Sequence, residues 1–278
     1  MRKIFFYFFL FTLIITKSWA DVYQVKTEQI MFSVLIDGKN YRLEAMCYKP
    51  LDNKTQHSLI IMTHGRDGTS PDINEYEALG YRNLNRALAE KGYLVMMLVR
   101  RGYGNSQGPD SELLNTPEDS AMAAAKDIKS AVEFMNISPD IIKDNIIAMG
   151  QSCGGWAVLA LSTMNIKGLK GVVNISGATV FTGTYGNNIL SLEYNEKLNK
   201  SAEIFGKSSR IPSLWIYAEN DKGTSIDWLY KRFNLFQKGG NIGQLVIKAK
   251  NNNEGHYIYN EPDRFMDDLI KFFKEIGF

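Results

Sequence analysis

Two serines in this chain sit at the centre of a Gly-x-Ser-x-Gly pattern: Ser152 in Gly150-Gln151-Ser152-Cys153-Gly154, and Ser106 in Gly104-Asn105-Ser106-Gln107-Gly108. The pattern serves chemistry where the serine tops a sharp turn from strand into helix, which pushes its hydroxyl out toward a substrate. Ser152 has both flanks. Asn145 to Met149 is an apolar run entering Gly150, and Gly155 to Leu161 continues as an apolar helical stretch. Ser106 lies between Arg100-Arg101-Gly102-Tyr103 and Gly108-Pro109-Asp110, which reads as a surface loop whose glycines serve backbone geometry. A serine hydroxyl is a poor nucleophile near neutral pH and needs a base, which in turn needs an acid to orient it. The chain offers three histidines. His57 precedes a strand among polar residues and reads as a surface residue; His64 ends a strand in His64-Gly65-Arg66; His256 stands on a polar loop, Asn253-Glu254-Gly255-His256-Tyr257.

The elements around these residues decide between them. Gln29 to Ile36 and Tyr41 to Tyr48 flank Asp37-Gly38 and predict a hairpin. Ser58 to Thr63 predicts a strand, Glu75 to Lys91 a helix closed by Gly92, and Tyr93 to Val99 a strand buried on both faces. Met122, Ala125, Ile128, Val132 and Met135 recur at helical spacing within 118–136. Asn145 to Met149, Gly171 to Ile175, Ser213 to Ala218 and Gln244 to Ala249 predict further strands. Helices are predicted at Trp156 to Met164 and Ile226 to Gln237, and a terminal helix carries Phe265, Leu269, Phe272, Phe273 and Ile276 on one face. A hairpin followed by strand and helix units implies an α/β fold, a mostly parallel sheet with helices on both faces. The stretch 177–210 is longer than an ordinary crossover and predicts a short helical insertion, with helical spacing from about Asn188 to Phe205. It is either a small cap over the carboxyl ends of the strands or a long helical crossover.

In that architecture nucleophile, acid and base follow in the chain order Ser, Asp or Glu, His, which selects His256 as base. The acid belongs after Trp215 to Ala218: Asp221 is the first choice, with Glu219 as the fallback. Two N–H donors must meet the oxyanion of the tetrahedral intermediate. The backbone of Cys153, at the start of a helix, and that of Arg66, after His64-Gly65, are the candidates. His64 then holds the Arg66 loop. Pairing of Cys153 with Cys47 would need an elbow residue to meet the hairpin, and is not expected.

Composition sets the outer bounds. The 278 residues are 45% hydrophobic and 22% charged, a globular composition, and two cysteines allow neither a disulfide scaffold nor a Cys-rich zinc module. Arg2 and Lys3, the apolar run Ile4 to Ile15, and Ser18-Trp19-Ala20 before Asp21 read as a cleaved signal peptide over 1–20. The expected mature chain is one domain over 21–278, exported to the periplasm or the medium. Removing Arg2, Lys3 and Lys17 takes Lys+Arg from 32 to 29 against an Asp+Glu of 30, so the basic balance belongs to the leader and no nucleic-acid partner is indicated.

These residues resemble the α/β-hydrolases. The resemblance spans nearly all of 29–278 and rests on His64-Gly65, the loop Arg101 to Gly108, the elbow Gly150 to Gly155, Asp221 and His256. Gly154-Gly155 and Arg101-Gly102-Tyr103-Gly104 are similar to the dienelactone-hydrolase-like and prolyl-oligopeptidase-like branches. Dienelactone hydrolases carry Cys where this chain has Ser152, and prolyl oligopeptidases carry a propeller for which this chain has no room. The resemblance implies the α/β-hydrolase fold and serine hydrolysis, and no particular substrate. The expected activity is cleavage of a carboxylic ester, with no metal or organic cofactor and a small-molecule ester or peptide as substrate. A peptidase or an acyltransferase could use the same residues, and a ligand-binding protein on the same scaffold would have no need of all three.

Overall fold

The computed structural model describes residues 23–66, 81–112, 114–179, 181 and 191–278. The expected signal peptide, residues 75–80 of the predicted first helix, and Tyr185 and Leu190 of the predicted insertion lie outside them.

An eight-stranded sheet runs through the molecule. β1 (Gln24–Ile36) and β2 (Lys39–Leu51) form the hairpin, turning through Asp37 and Gly38 at φ 50° and 77°. β3 (His57–Thr63), β4 (Leu94–Val99), β5 (Ile141–Gln151), β6 (Leu169–Ile175), β7 (Ser213–Ala218) and β8 (Gly243–Lys248) complete it in the order β1-β2-β4-β3-β5-β6-β7-β8. β1 is antiparallel to β2 and β2 to β4, while all pairs from β4 onward are parallel. This mostly parallel sheet with helices on both faces is the α/β-hydrolase fold.

Side chains alternate along the strands and feed two cores. Leu94, Met96 and Leu98 of β4 join the core beneath α2 (Pro117–Met135), α3 (Cys153–Leu161), α4 (Leu192–Ser208) and α5 (Ile226–Gln237). Val95, Met97 and Val99 join the core beneath α1 (Arg82–Ala89) and α6 (Met266–Glu275). Burial on both faces explains why β4 carries no charge. The helix starts are set locally: the hydroxyls of Thr116, Ser191 and Ser225 accept from the backbone amides of Asp119, Tyr194 and Trp228 and so cap α2, α4 and α5.

Much of the expected insertion is helix α4. It buries Tyr194, Leu198, Ala202 and Phe205 in the same core as α5, and its Ser201 hydroxyl accepts from the Trp156 indole at 3.1 Å. Gly206 lies so close to the backbone of Phe236 in α5 that a side chain could not fit between them. Residues 192–208 are therefore a packed crossover helix.

Two expectations need correction. His57 is 2% exposed, and its Nε2 lies 2.9 Å from Asp52 Oδ1. The turn after β2 folds back over the start of β3, so the polar neighbours that suggested a surface position are its own buried partner and the turn that supplies it. Ser106 is buried too: its Oγ donates to Val99 O at 2.7 Å and accepts from Glu44 N at 2.9 Å. The Gly104 to Gly108 loop lies against β2 and satisfies the end of β4, which accounts for its second Gly-x-Ser-x-Gly match without any chemistry.

Candidate active site

The carboxyl ends of β3, β5 and β7 and the loop after β8 bring the expected site residues to one end of the sheet. β5 runs into Ser152, which takes φ 52° and ψ −119° before α3 begins at Cys153. A left-handed φ on a serine costs of order 1–3 kcal/mol and persists only where the surroundings enforce it. Here they do. Side chains at Gly150 and Gly154 would collide with the backbone of Gly154 and with Thr63 O, and one at Gly155 with Asn174 and Gly177. The elbow is held by hydrogen bonds from Ser152 N to Ile175 O at 3.0 Å and from Trp156 N to Ser152 O at 3.1 Å. Cys153 opens α3, and the first amides of a helix have no acceptor within it. Cys47 and Cys153 form no disulfide.

The candidate acid and base meet on two loops that brace each other. His256 Nδ1 lies 2.9 Å from Asp221 Oδ1, with the Asp221 carboxylate almost wholly buried. The same Oδ1 accepts from Gly223 N at 2.7 Å. Glu254 Oε1 accepts from Lys222 N and from His256 N, each at 3.0 Å, and Asn220 Nδ2 donates to Asn253 O at 2.7 Å. A side chain on Gly223 would come within 2.8 Å of the His256 ring, so glycine is required there. Glu219, the fallback acid, is exposed and its Oε2 accepts from Lys250 N at 3.0 Å. Asp221 is the carboxylate that faces the histidine.

Burial opposes the His256 imidazolium, but the Asp221 hydrogen bond, the Asp221 charge and the charge of Glu254 outweigh it, and the pKa stands above the ordinary 6.5. A pKa raised by folding contributes stability that is fully present below the unfolded value and lost as pH rises through the folded one. The stability advantage of the native protein over Asp221→Asn is therefore expected to be larger at pH 5.5 than at pH 9, read from urea midpoints.

The Arg66 loop rests on a buried ionic cluster. Arg66 donates to Tyr103 Oη at 2.8 Å and to Asp110 Oδ2 at 2.5 Å. Fully buried Arg100 donates to Glu112 Oε1 at 2.5 Å, to Thr63 Oγ1 at 2.8 Å and to the carbonyl of His64; Tyr103 donates to Glu112. Arg100 N donates to His64 Nε2 at 3.1 Å, so the proton sits on Nδ1, which donates to Gly65 O at 2.6 Å. Burial and the neighbouring Arg100 hold the His64 pKa well below 6.5, so His64 is a neutral strut, in keeping with a structural role. Removing one member of such a pair strands the other charge at a cost of about 3–5 kcal/mol. Arg100→Met is expected to lose about that much in urea unfolding.

Sequence reasoning singles out none of Gln151, Tyr81, Arg100 and Glu112 as site residues. A polar residue closing an apolar strand (Gln151) and two arginines following an uncharged one (Arg100, Arg101) were the available signals.

The family model for serine aminopeptidase, S33, matches residues 57–208, more than half of the chain. The chain belongs to this family of serine hydrolases. The match takes in His64-Gly65, the buried Arg100 cluster and the Ser152 elbow. Protein bem46 of Schizosaccharomyces pombe is 28% identical over 135 residues, 46% of this chain and 42% of that protein. This chain thus spans under half the length of that curated relative. Among solved structures, the acylaminoacyl peptidase of Pyrococcus horikoshii superposes with a TM-score of 0.62 at 16% identity, over 89% of this chain and 41% of that one. An esterase from Pyrococcus furiosus superposes with a TM-score of 0.59 at 15% identity, over 91% of this chain and 93% of that one. At such identities the likeness is one of fold.

Proposed function

We propose that the protein is an exported serine hydrolase that cleaves a carboxylic ester through an acyl-Ser152 intermediate. The observation that carries this reading is the 2.9 Å pair of His256 Nδ1 and Asp221 Oδ1, formed at the same end of the sheet as the strained Ser152 elbow. With Nδ1–H held by Asp221, His256 presents Nε2 as the base. Ser152 Oγ attacks the carbonyl carbon as its proton passes to Nε2, and the negative charge moves to the carbonyl oxygen. The amides of Cys153 and Arg66 are the donors assigned to that oxyanion. Collapse of the intermediate breaks the bond to the alcohol, which leaves with the proton from His256. Water then repeats the sequence on the acyl-serine and releases the acid.

Cleavage of a peptide is the second reading: the family's description points to a free amino terminus, and the acylaminoacyl peptidase fold likeness to an acylated one. An aminopeptidase needs a carboxylate for the substrate ammonium. Among the described residues near the site the carboxylates are engaged: Asp221 by His256 and Gly223, Glu254 by two backbone amides, Asp110 by Arg66, and Glu112 by Arg100. That counts against a free amino terminus and leaves an ester and an N-acylated peptide to be separated by the test. The test is a p-nitrophenyl ester series from acetate to palmitate beside aminoacyl and N-acylaminoacyl anilides, on the chain lacking residues 1–20. Ester turnover well above anilide turnover is expected, and the chain-length optimum sizes the acyl pocket; the reverse preference would make the protein a peptidase. Export is checked by whether the full-length chain, expressed with its leader in a bacterial host, is recovered outside the cytoplasm starting at Asp21.

A further inference from the structure

One hydrogen-bonded chain joins the three loops of the site and has no part in the mechanism above. Gly65 N donates to Tyr81 Oη at 2.7 Å; Tyr81 Oη donates to Gln151 Oε1 at 2.9 Å; Gln151 Nε2 donates to His256 O at 3.1 Å. Each group is donor to the next, so the bonds polarise one another in the same direction. The order also fixes the Gln151 amide: its oxygen must face Tyr81 and its nitrogen His256. Gly65 immediately precedes Arg66, the assigned oxyanion donor; Gln151 immediately precedes Ser152; His256 is the assigned base.

Three observations independent of the hydrogen bonds point to the same junction. Tyr81 holds φ 64°, a left-handed backbone that a bulky aromatic residue rarely adopts, just where α1 begins. Its ring lies against that of Tyr259, three residues beyond His256, with centroids 4.2 Å apart. A side chain at Gly65 would collide with the Gln151 amide and come within 2.9 Å of Ser152 Cβ, so the oxyanion loop and the elbow touch with no space to shift. The backbone pays for a strained tyrosine whose hydroxyl reaches the one point where these loops converge.

We propose that Tyr81 and Gln151 are positioning residues that lock the Arg66 amide, the Ser152 elbow and the His256 loop into one geometry. The proposal rests on the reading of Ser152 as nucleophile and His256 as base. Both are assigned to act through the groups they hold, not on the reacting atoms. They act by removing the freedom of the oxyanion donor to move relative to the nucleophile and its base, and a misplacement of a fraction of an ångström there is felt in the transition state. The cost of losing the bridge therefore falls on kcat and leaves KM nearly unchanged.

The test compares Tyr81→Phe, Gln151→Leu and Gln151→Glu in the full protein. Reactive serines are titrated with a p-nitrophenyl alkylphosphonate so that turnover is counted per competent site, and deuterium exchange is followed at the Gly65 amide. Tyr81→Phe is expected to speed exchange at Gly65 and to lower kcat per titrated site about tenfold, with KM within about twofold. Gln151→Leu lowers kcat alike. Gln151→Glu can still accept from Tyr81 but cannot donate to His256, and its charge beside the histidine loop is expected to move the acid limb of the pH profile upward. Normal kcat per titrated site in Tyr81→Phe and Gln151→Leu, with any loss confined to melting temperature or titratable fraction, overturns the proposal and leaves a packing role. Unchanged exchange at Gly65 in Tyr81→Phe overturns it as well. Should the native protein fail to react with the phosphonate, the reading of Ser152 falls separately, and exchange at Gly65 decides whether the bridge exists.

Discussion

Ser152→Ala is expected to remove ester turnover, lowering kcat by about 10⁴-fold or more at unchanged fold, as loss of a covalent nucleophile does when donors and base remain. The residual rate measures what the oxyanion donors and binding alone supply to attack by water. Stability should change little or improve, because alanine keeps the packing while the left-handed strain persists at either residue. The control is Ser106→Ala. That hydroxyl bridges Glu44 N and Val99 O, so its removal is expected to cost about 1–3 kcal/mol of stability and to leave kcat within a few fold. Turnover retained in Ser152→Ala would show that Ser152 is not the nucleophile. The measurement is kcat on the preferred p-nitrophenyl ester, with melting temperature alongside.

The second large effect belongs to Asp221→Asn. The amide keeps the shape of the carboxylate but presents a donor or a weaker acceptor to Nδ1, so His256 loses the tautomer that leaves Nε2 free to take a proton; a fall in kcat of about 10³- to 10⁴-fold is expected. Its pH signature is more telling than its size. Under the proposed mechanism His256 works as base only when neutral, so the acid limb of kcat/KM is expected above pH 6.5, the direction in which Asp221 and Glu254 hold the histidine against burial. With Asp221 neutral, burial gains the upper hand and the limb moves down. A limb unmoved in Asp221→Asn would mean that another group titrates. Glu219→Gln serves as the comparison: it faces Lys250 N, away from the histidine, and is expected to change neither kcat nor the limb.

The fold and much of the candidate site's geometry were legible in the chain because a few physical constraints leave direct marks on sequence. Strands buried on both faces carry no charge, so β4 and β7 stood out, and β7 runs from Ser213 to Ala218 as expected. Helix periodicity marked α2 and α5 to within a residue. The elbow was readable because close packing at Gly150, Gly154 and Gly155 forbids side chains, so the requirement appears as glycines. The first hairpin strand runs five residues further at its outer start than expected, since Gln24 to Glu28 belongs to an edge strand whose side chains are mostly exposed and polar. His57 and Ser106 were misjudged for a different reason. Burial of a lone polar residue depends on a partner brought by the fold, Asp52 across a turn and Glu44 from another strand, and neither leaves a periodic trace. The same holds for the Tyr81 to Gln151 to His256 chain, whose members stand 70 and 105 residues apart.

The proposed acylation of Ser152 can be observed directly. The direct measurement is peptide mapping by mass spectrometry after brief treatment of the folded protein with a fluorophosphonate, beside the same protein unfolded in urea. One adduct on the peptide carrying Gly150 to Trp156, at Ser152, formed in the folded protein and absent from the unfolded one and from His256→Ala, is the expected result. No adduct in the folded protein, or an adduct on another serine with Ser152 untouched, would contradict it and leave a scaffold that binds without reacting.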